Sequence, residues 1–217
     1  MKTFDFYEFA GILTPGAVVL YVVSRICPET APFIEGKEFS LGDLGLFIIL
    51  AYVAGHLVQA LGNFVEKMFW CVFGGMPTNW LLEKRQKLLS GVQVTALPEK
   101  VKELTGMSLG KPIADLTVND WFPITRQIYA AVSAAGRAQR IDTFNGNYGM
   151  FRGLASAFIL CAVFNMVIHW PTGWPVSLGL VIAGTLALAR MHRFGTHYAR
   201  ELFVQFLQIE KGKATTP

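Results

Sequence analysis

Uncharged apolar runs alternate with polar stretches along this chain, and the longest run sets the reading. Residues 153–189 carry no charge when their one histidine, His169, is neutral. The run is interrupted only by His169-Trp170-Pro171-Thr172-Gly173-Trp174-Pro175. A helix needs about 20 apolar residues to cross a bilayer, so this stretch is long enough to cross, turn and return. Residues 9–24 and 44–65 are also uncharged. The pattern predicts four spans, at about 9–24, 44–65, 153–170 and 176–191. The first is short, but Phe4, Phe6 and Tyr7 extend it into the interface, where aromatic rings settle. Pro15-Gly16 lies inside it and predicts a lost backbone bond and a kink. The fourth is expected to continue as an amphipathic helix beyond Arg190.

Between the second and third spans the pattern changes to short helical periods. Residues 68–82 are apolar and aromatic, with a turn signal at Gly74-Gly75-Met76-Pro77, and are expected along the inner interface. Residues 80–89 read as an amphipathic helix, with Leu81, Leu82, Leu88 and Leu89 around Glu83-Lys84-Arg85-Gln86-Lys87. Residues 98–104 read as a short helix with proline near its first turn. Residues 123–139 read as a longer helix, with Ile124, Ile128, Ala131, Val132 and Ala135 on overlapping turns. No internal repeat, low-complexity tract or strand pair is evident. The fold class is therefore an all-α membrane protein of four transmembrane helices with a helical insert. It divides into a hairpin (1–65), the insert (66–152), a second hairpin (153–191) and a tail (192–217).

Composition agrees. The chain is 53% hydrophobic and 16% charged, too few polar side chains to coat a soluble domain. Cys27, Cys71 and Cys161 are scattered, with neither a disulfide framework nor zinc spacing. Aromatic and acidic residues at the start, Met1-Lys2-Thr3-Phe4-Asp5-Phe6-Tyr7-Glu8, lack the basic leader of a signal peptide, so a retained first helix is expected.

Charge placement orients the spans. The stretch 25–43 has two basic residues against Glu29, Glu35, Glu38 and Asp43, and the 171–175 turn has none. Residues 66–152 hold eleven basic residues and 190–217 hold five. By the positive-inside rule both basic segments face the cytoplasm. Both termini are then inside, and a multi-pass protein of a bacterial inner membrane is expected.

Polar residues inside spans are costly and often functional. Tyr52, His56, Gln59 and Asn63, spaced four, three and four, share one helical face. Cys161, Asn165 and His169 do the same in the third span. Tyr52, His56, Gln59, Asn63 and Asn165 are candidates to line or gate a path. The competing reading is that they hydrogen-bond across helices and hold a bundle together. Histidine near mid-span is the sharper case, because its charge changes near neutral pH. Small residues at Gly179, Ala183 and Ala187, and at Gly55 and Gly62, predict close helix approach, within one chain or between subunits, and four short helices with little interior favour a homo-oligomer.

Lys84, Arg85, Arg137, Arg140 and Arg152 are candidates for binding a partner or lipid, and Lys87, Arg190, Arg193 and Arg200 add to the same basic surface. Attraction to anionic headgroups is the simpler account. A nucleotide, an acidic partner protein and a nucleic acid are the alternatives, direct nucleic-acid binding being disfavoured. No phosphate loop, His-Glu-x-x-His, Gly-x-Ser-x-Gly or Cys-x-x-Cys occurs. No enzyme, cofactor or metal is expected. A small lipid- or isoprenoid-modifying enzyme is the minor alternative.

Phe4-Asp5-Phe6-Tyr7-Glu8-Phe9 with Pro15-Gly16, Gly55-His56, and Asn147-Tyr148-Gly149-Met150-Phe151-Arg152 together resemble small four-span membrane proteins of bacterial antiviral defence systems. The resemblance lies in the layout of the whole chain. It implies an oligomeric membrane sensor or effector that works with a soluble cytoplasmic partner, and the two polar stripes, in a chain without an enzyme motif, add the expectation that it forms a pore or perturbs the membrane. The alternative is a membrane scaffold that recruits a cytoplasmic enzyme through the insert.

Overall fold

In a bilayer no water is present to satisfy backbone groups, so an uncharged run must pair its own amides as a helix. The computed structural model describes residues 6–27, 40–83 and 87–210, with side chains from Phe9 onward. Among these residues there are six α-helices and no strand. They are α1 (Phe6–Ile26), α2 (Leu41–Val72), α3 (Gly91–Thr105), α4 (Val118–Ala134), α5 (Gln139–Ile168) and α6 (Trp174–Leu207). Four of them, α1, α2, α5 and α6, are long and apolar enough to cross a membrane. The predicted spans therefore exist as helices, and three run well past their predicted ends.

The chain forms two compact units. Unit 1 holds residues 1–69 and 146–192, and unit 2 holds residues 70–145 and 193–217. Thus α2, α5 and α6 each contribute residues to both.

Unit 1 is small inside and large outside. Its buried positions include Ala51, Ala155, Ala157, Ala162 and Ala187, with Ser24, Ser156 and Ser177. Its exposed positions include Leu57 at 67%, Phe64 at 65% and Val167 at 73%. Small residues let helices pack when solvent supplies no hydrophobic drive, while the large side chains meet lipid tails. Trp170 and Trp174 stand exposed at the turn between α5 and α6, the position of an aromatic belt.

The α1–α2 crossing is the tightest. A Cβ on Gly16 would strike the Ala51 carbonyl and stand 2.6 Å from the Gly55 nitrogen. A Cβ on Gly55 would strike the Ile12 carbonyl. Gly62, one heptad on, leaves room for the Arg152 side chain, whose Cγ and Nε would lie 3.4 Å from an added Cβ. Between α5 and α6 the seam differs from the expected Gly179–Ala183–Ala187 ladder. Gly179 faces open space, whereas Gly184 packs near Ile159, Phe158 and the Ala155 carbonyl. Ser177, Gly184 and Ala187 are the buried small residues of the part of α6 that belongs to unit 1.

Unit 2 has an ordinary aliphatic and aromatic core. Leu81, Leu97, Val101, Trp121, Ile128, Val132, Ile141, Leu202, Phe203 and Phe206 are each almost fully buried there. Trp121 stacks on Phe203 at 5.9 Å and donates its indole N–H to the Thr78 carbonyl at 2.8 Å. The insert and the chain after α6's apolar run, separate in sequence, share this core.

Three predicted helices in the insert are corrected. The helix expected at 80–89 does not form over its described part. A short 3-10 turn, Pro77–Leu82, ends in an extended Glu83, and Leu88 and Leu89 enter the core without helical geometry. Ser90 must be extended to cap α3, so the chain cannot arrive there as a helix. α3 starts seven residues before Pro98, at Gly91, because Ser90 and Gln93 form a capping box that satisfies otherwise orphaned amides. α4 starts at Val118, where Thr117 and Asp120 make a second capping box, and its bond to the Thr117 hydroxyl and amide holds the Asp120 carboxyl below its usual range. It ends at Ala134 rather than running to 139. Gly136 takes φ 70°, and the amides of Gly136 and Arg137 bond to the Ser133 and Val132 carbonyls, the paired stop of a Schellman turn. Gly74, at φ 77°, ends α2 as the turn signal predicted.

Candidate functional site

The polar residues of α2 share a stripe in sequence, but the structure splits them. Tyr52, His56 and Asn63 are exposed, while Gln59 is half-buried. At about 100° per residue all four positions lie within an arc of about 60°, with 59 at its edge, and the contacts of Gln59 with α1 and α5 set it apart. The Tyr52 ring meets the His56 ring edge-on at 4.6 Å and stacks with Phe9 at 6.3 Å. The face they occupy also exposes Ile49, Val53, Leu57 and Phe64.

Gln59 turns inward to a defect in α1. Pro15 has no N–H, so the carbonyl four residues earlier, at Gly11, loses its helical partner. The Gln59 amide donates to that Gly11 carbonyl at 2.9 Å and to the Gly149 carbonyl of α5 at 3.1 Å. Gly153 makes this approach possible, because a Cβ there would sit 2.7 Å from Gln59 Nε2 and 2.9 Å from Pro15 Cγ.

The same glutamine is one end of a polar chain. Its Oε1 accepts from Arg152 Nη2 at 3.0 Å and Nε at 3.3 Å. Arg152 Nη1 pairs with Glu66 Oε2 at 2.5 Å. Glu66 Oε1 accepts from the Tyr148 hydroxyl at 2.6 Å. Arg152, a candidate for binding partner or lipid, is thus committed inside unit 1 to residues of α2. In the sequence, Tyr148 and Gly149 stand out only within the resemblance string 147–152, and Gly11 does not stand out at all. One signal was there: a proline inside an apolar helix strands a carbonyl, and a membrane helix must find it a donor.

Asn165 is buried and does not face the α2 stripe through its amide. Its Nδ2 donates to the Gly173 carbonyl at 2.8 Å and the Ser177 hydroxyl at 2.9 Å. Ser177 in turn donates to the Ala162 carbonyl at 3.0 Å. These bonds close the α5–α6 turn. His169 Nε2 contacts the Ile26 carbonyl at 3.2 Å, which places a hydrogen on that nitrogen and ties the turn to the end of α1.

In unit 2, Arg137 Nη1 reaches the side-chain carbonyls of Gln205 and Gln208 at 3.5 and 3.4 Å. Arg140 lies 3.8 Å from Glu201 and over the Phe144 ring at 5.5 Å. Lys84 and Arg85 lie outside the described residues. Among the described residues no group of His, Cys, Asp and Glu side chains is placed to hold a metal ion.

These observations define the chain as a helical protein with four membrane-capable helices and a second unit with a core of its own. No protein-family model, no curated protein and no solved structure matches it.

Proposed function

We propose that the chain is a subunit of an oligomeric sensor or effector of a bacterial inner membrane, with both termini and unit 2 on the cytoplasmic side. One observation carries this reading. Tyr52, His56 and Asn63 are exposed on α2 among Ile49, Val53, Leu57, Leu61 and Phe64, exposed residues that suit lipid. A histidine and an amide facing hydrocarbon are costly. Placed against the same stripe of neighbouring copies, they are satisfied and line a shared path. α2 is also the least covered of the four membrane-capable helices, with 17% of its apolar window buried, as a subunit-facing helix requires.

Orientation rests on the basic residues of the insert and of the chain after α6's apolar run. A sensing role matches the layout of the chains that this one resembles, in which the membrane part works with a soluble partner. The defence setting rests on the resemblance of the layout alone.

Reconstituted protein is expected to run as an oligomer and to pass ions or a small dye, with or without its partner. His56→Leu and Asn63→Leu should change that flux without changing yield. Ala60→Cys, on the same exposed stripe, should cross-link between copies. A monomer in both detergent and nanodiscs, with no Ala60→Cys cross-link, defeats the proposal. An oligomer without flux leaves the sensor and removes the pore.

A scaffold is the second reading, favoured by the exposed Val118 and Phe122 on α4, beside Arg126, whose guanidinium lies 5.8 Å over the Phe122 ring. On that reading the His56 and Gln59 variants keep function, while charge reversal at Arg137 and Arg140 abolishes recruitment.

A further inference from the structure

The basic residues of unit 2 are not evenly spread. Arg193, His197 and Arg200 lie on one face of α6, spaced four and three. The charges of Arg193, Arg200 and Arg140 all act on the His197 ring, with Glu201 as the opposing carboxylate. Three guanidinium groups against one carboxylate leave two positive charges uncompensated in one place.

The cluster is held in position by contacts that leave its donors open. Arg193 Nε donates to His197 Nε2 at 3.4 Å, so that nitrogen is the acceptor and the ring's other nitrogen carries hydrogen. The His197 ring stacks on Phe144 at 5.5 Å with 28° between planes. Arg140 also lies over Phe144, with its side chain 70% exposed. Arg200 Nε bonds to the Leu88 carbonyl at 3.2 Å, which fixes the stem and leaves both Nη atoms to turn outward. Glu201 is occupied by Gln205 at 2.9 Å as well as by Arg140. Arg193 and Arg200 are exposed.

We infer that Arg193, His197 and Arg200, with Arg140, form a binding site for a phosphate-type oxyanion. Guanidinium forks match tetrahedral oxyanions with paired N–H donors, and a bound anion removes the repulsion among the like charges. The chemistry is shared by a free phosphate group and by the phosphodiester of an anionic lipid. This site is separate from the α2 stripe and does not depend on whether the oligomer conducts.

The test uses the full chain in phosphatidylcholine nanodiscs at fixed ionic strength. One arm titrates inorganic phosphate. The other replaces part of the lipid with phosphatidylglycerol. Thermal unfolding is read in both. A rise in midpoint with phosphate assigns a soluble ligand, and a rise with phosphatidylglycerol assigns a headgroup. R193Q/R200Q should weaken the response about tenfold or more, as expected for lost charge-assisted hydrogen bonds. R140Q should weaken it too and leaves α6 unaltered. R137Q is the control, since Arg137 engages Gln205 and Gln208 and is not among the charges acting on His197. Two results overturn the site: no midpoint shift in either arm, or an equal loss in R137Q, which would mean diffuse surface charge.

Discussion

At the scale of single residues, the stranded carbonyl of Gly11 explains Gln59. Pro15 removes the donor, and Gln59 supplies another from a different helix. Gln59→Leu should lower stability in detergent by about 1–3 kcal/mol, the cost of an unsatisfied buried polar group. In a Pro15→Ala background α1 regains its own N–H, so the same change should cost less. A double-mutant cycle on the thermal or denaturant midpoint reads the difference, and strict additivity would refute the pairing. A second residue makes a pH prediction in unit 2. The Tyr129 hydroxyl bonds to the Asp142 carboxylate at 2.7 Å, and that bond, with burial, pushes the phenol up to about 12 from its usual 10. The neutral phenol is the stabilising form. Its contribution is complete below pH 10 and disappears as pH rises through about 12. The stability gap between wild type and Tyr129→Phe should be flat below pH 10 and shrink above it. An unchanged gap at high pH would remove the bond from the account.

At the scale of elements, the α1–α2 crossing depends on backbone touching backbone. Gly16→Val or Gly55→Val should separate these helices, visible as loss of an α1–α2 cysteine cross-link and a lower unfolding midpoint. Gly179→Val should be tolerated within the chain, because nothing lies within 4 Å of the added carbon. Sequence periodicity located all four long helices, since lack of charge over enough length is a local signal. It failed where the decision was tertiary. Gly179, Ala183 and Ala187 have the right spacing for a seam, but which face of α6 meets α5 is set by Ser177 and Gly184 packing on their neighbours. In the insert, apolar spacing suggested a helix over 80–89 and one from 123 to 139. Ser90 and Gly136, the cap and the stop, overrode it. Both signals were present in the sequence, as a Ser-x-x-Gln box and a glycine followed by arginine, but they were weaker than the apolar pattern around them. Gln59 and His56 show the same limit within the candidate site. Spacing grouped them correctly on one side of α2, and only the position of α1 and α5 decided that one turns in and the other out.

At the scale of the whole molecule, two solvents are legible in two interiors. Unit 1 hides alanine, glycine and serine and shows leucine and phenylalanine. Unit 2 hides tryptophan, phenylalanine and leucine. The stabilities should respond differently. Phe203→Ala should cost unit 2 about 3–5 kcal/mol, read by protease resistance of the insert, while leaving the proposed association through α2 unchanged. Loss of both together would mean that the units do not fold separately.

The shared core of unit 2 also bears on the order of synthesis. Residues 70–145 leave the ribosome long before Leu202, Phe203 and Phe206, which complete their core. Until α6 is made, the Trp121 ring lacks its Phe203 stack, and incomplete cores are prone to aggregation. The last two long helices therefore have to be made before the insert's core can close. A chain stopped after residue 192 should insert its spans yet keep a protease-sensitive middle, and a separately supplied peptide covering 193–210 is the natural candidate to rescue it.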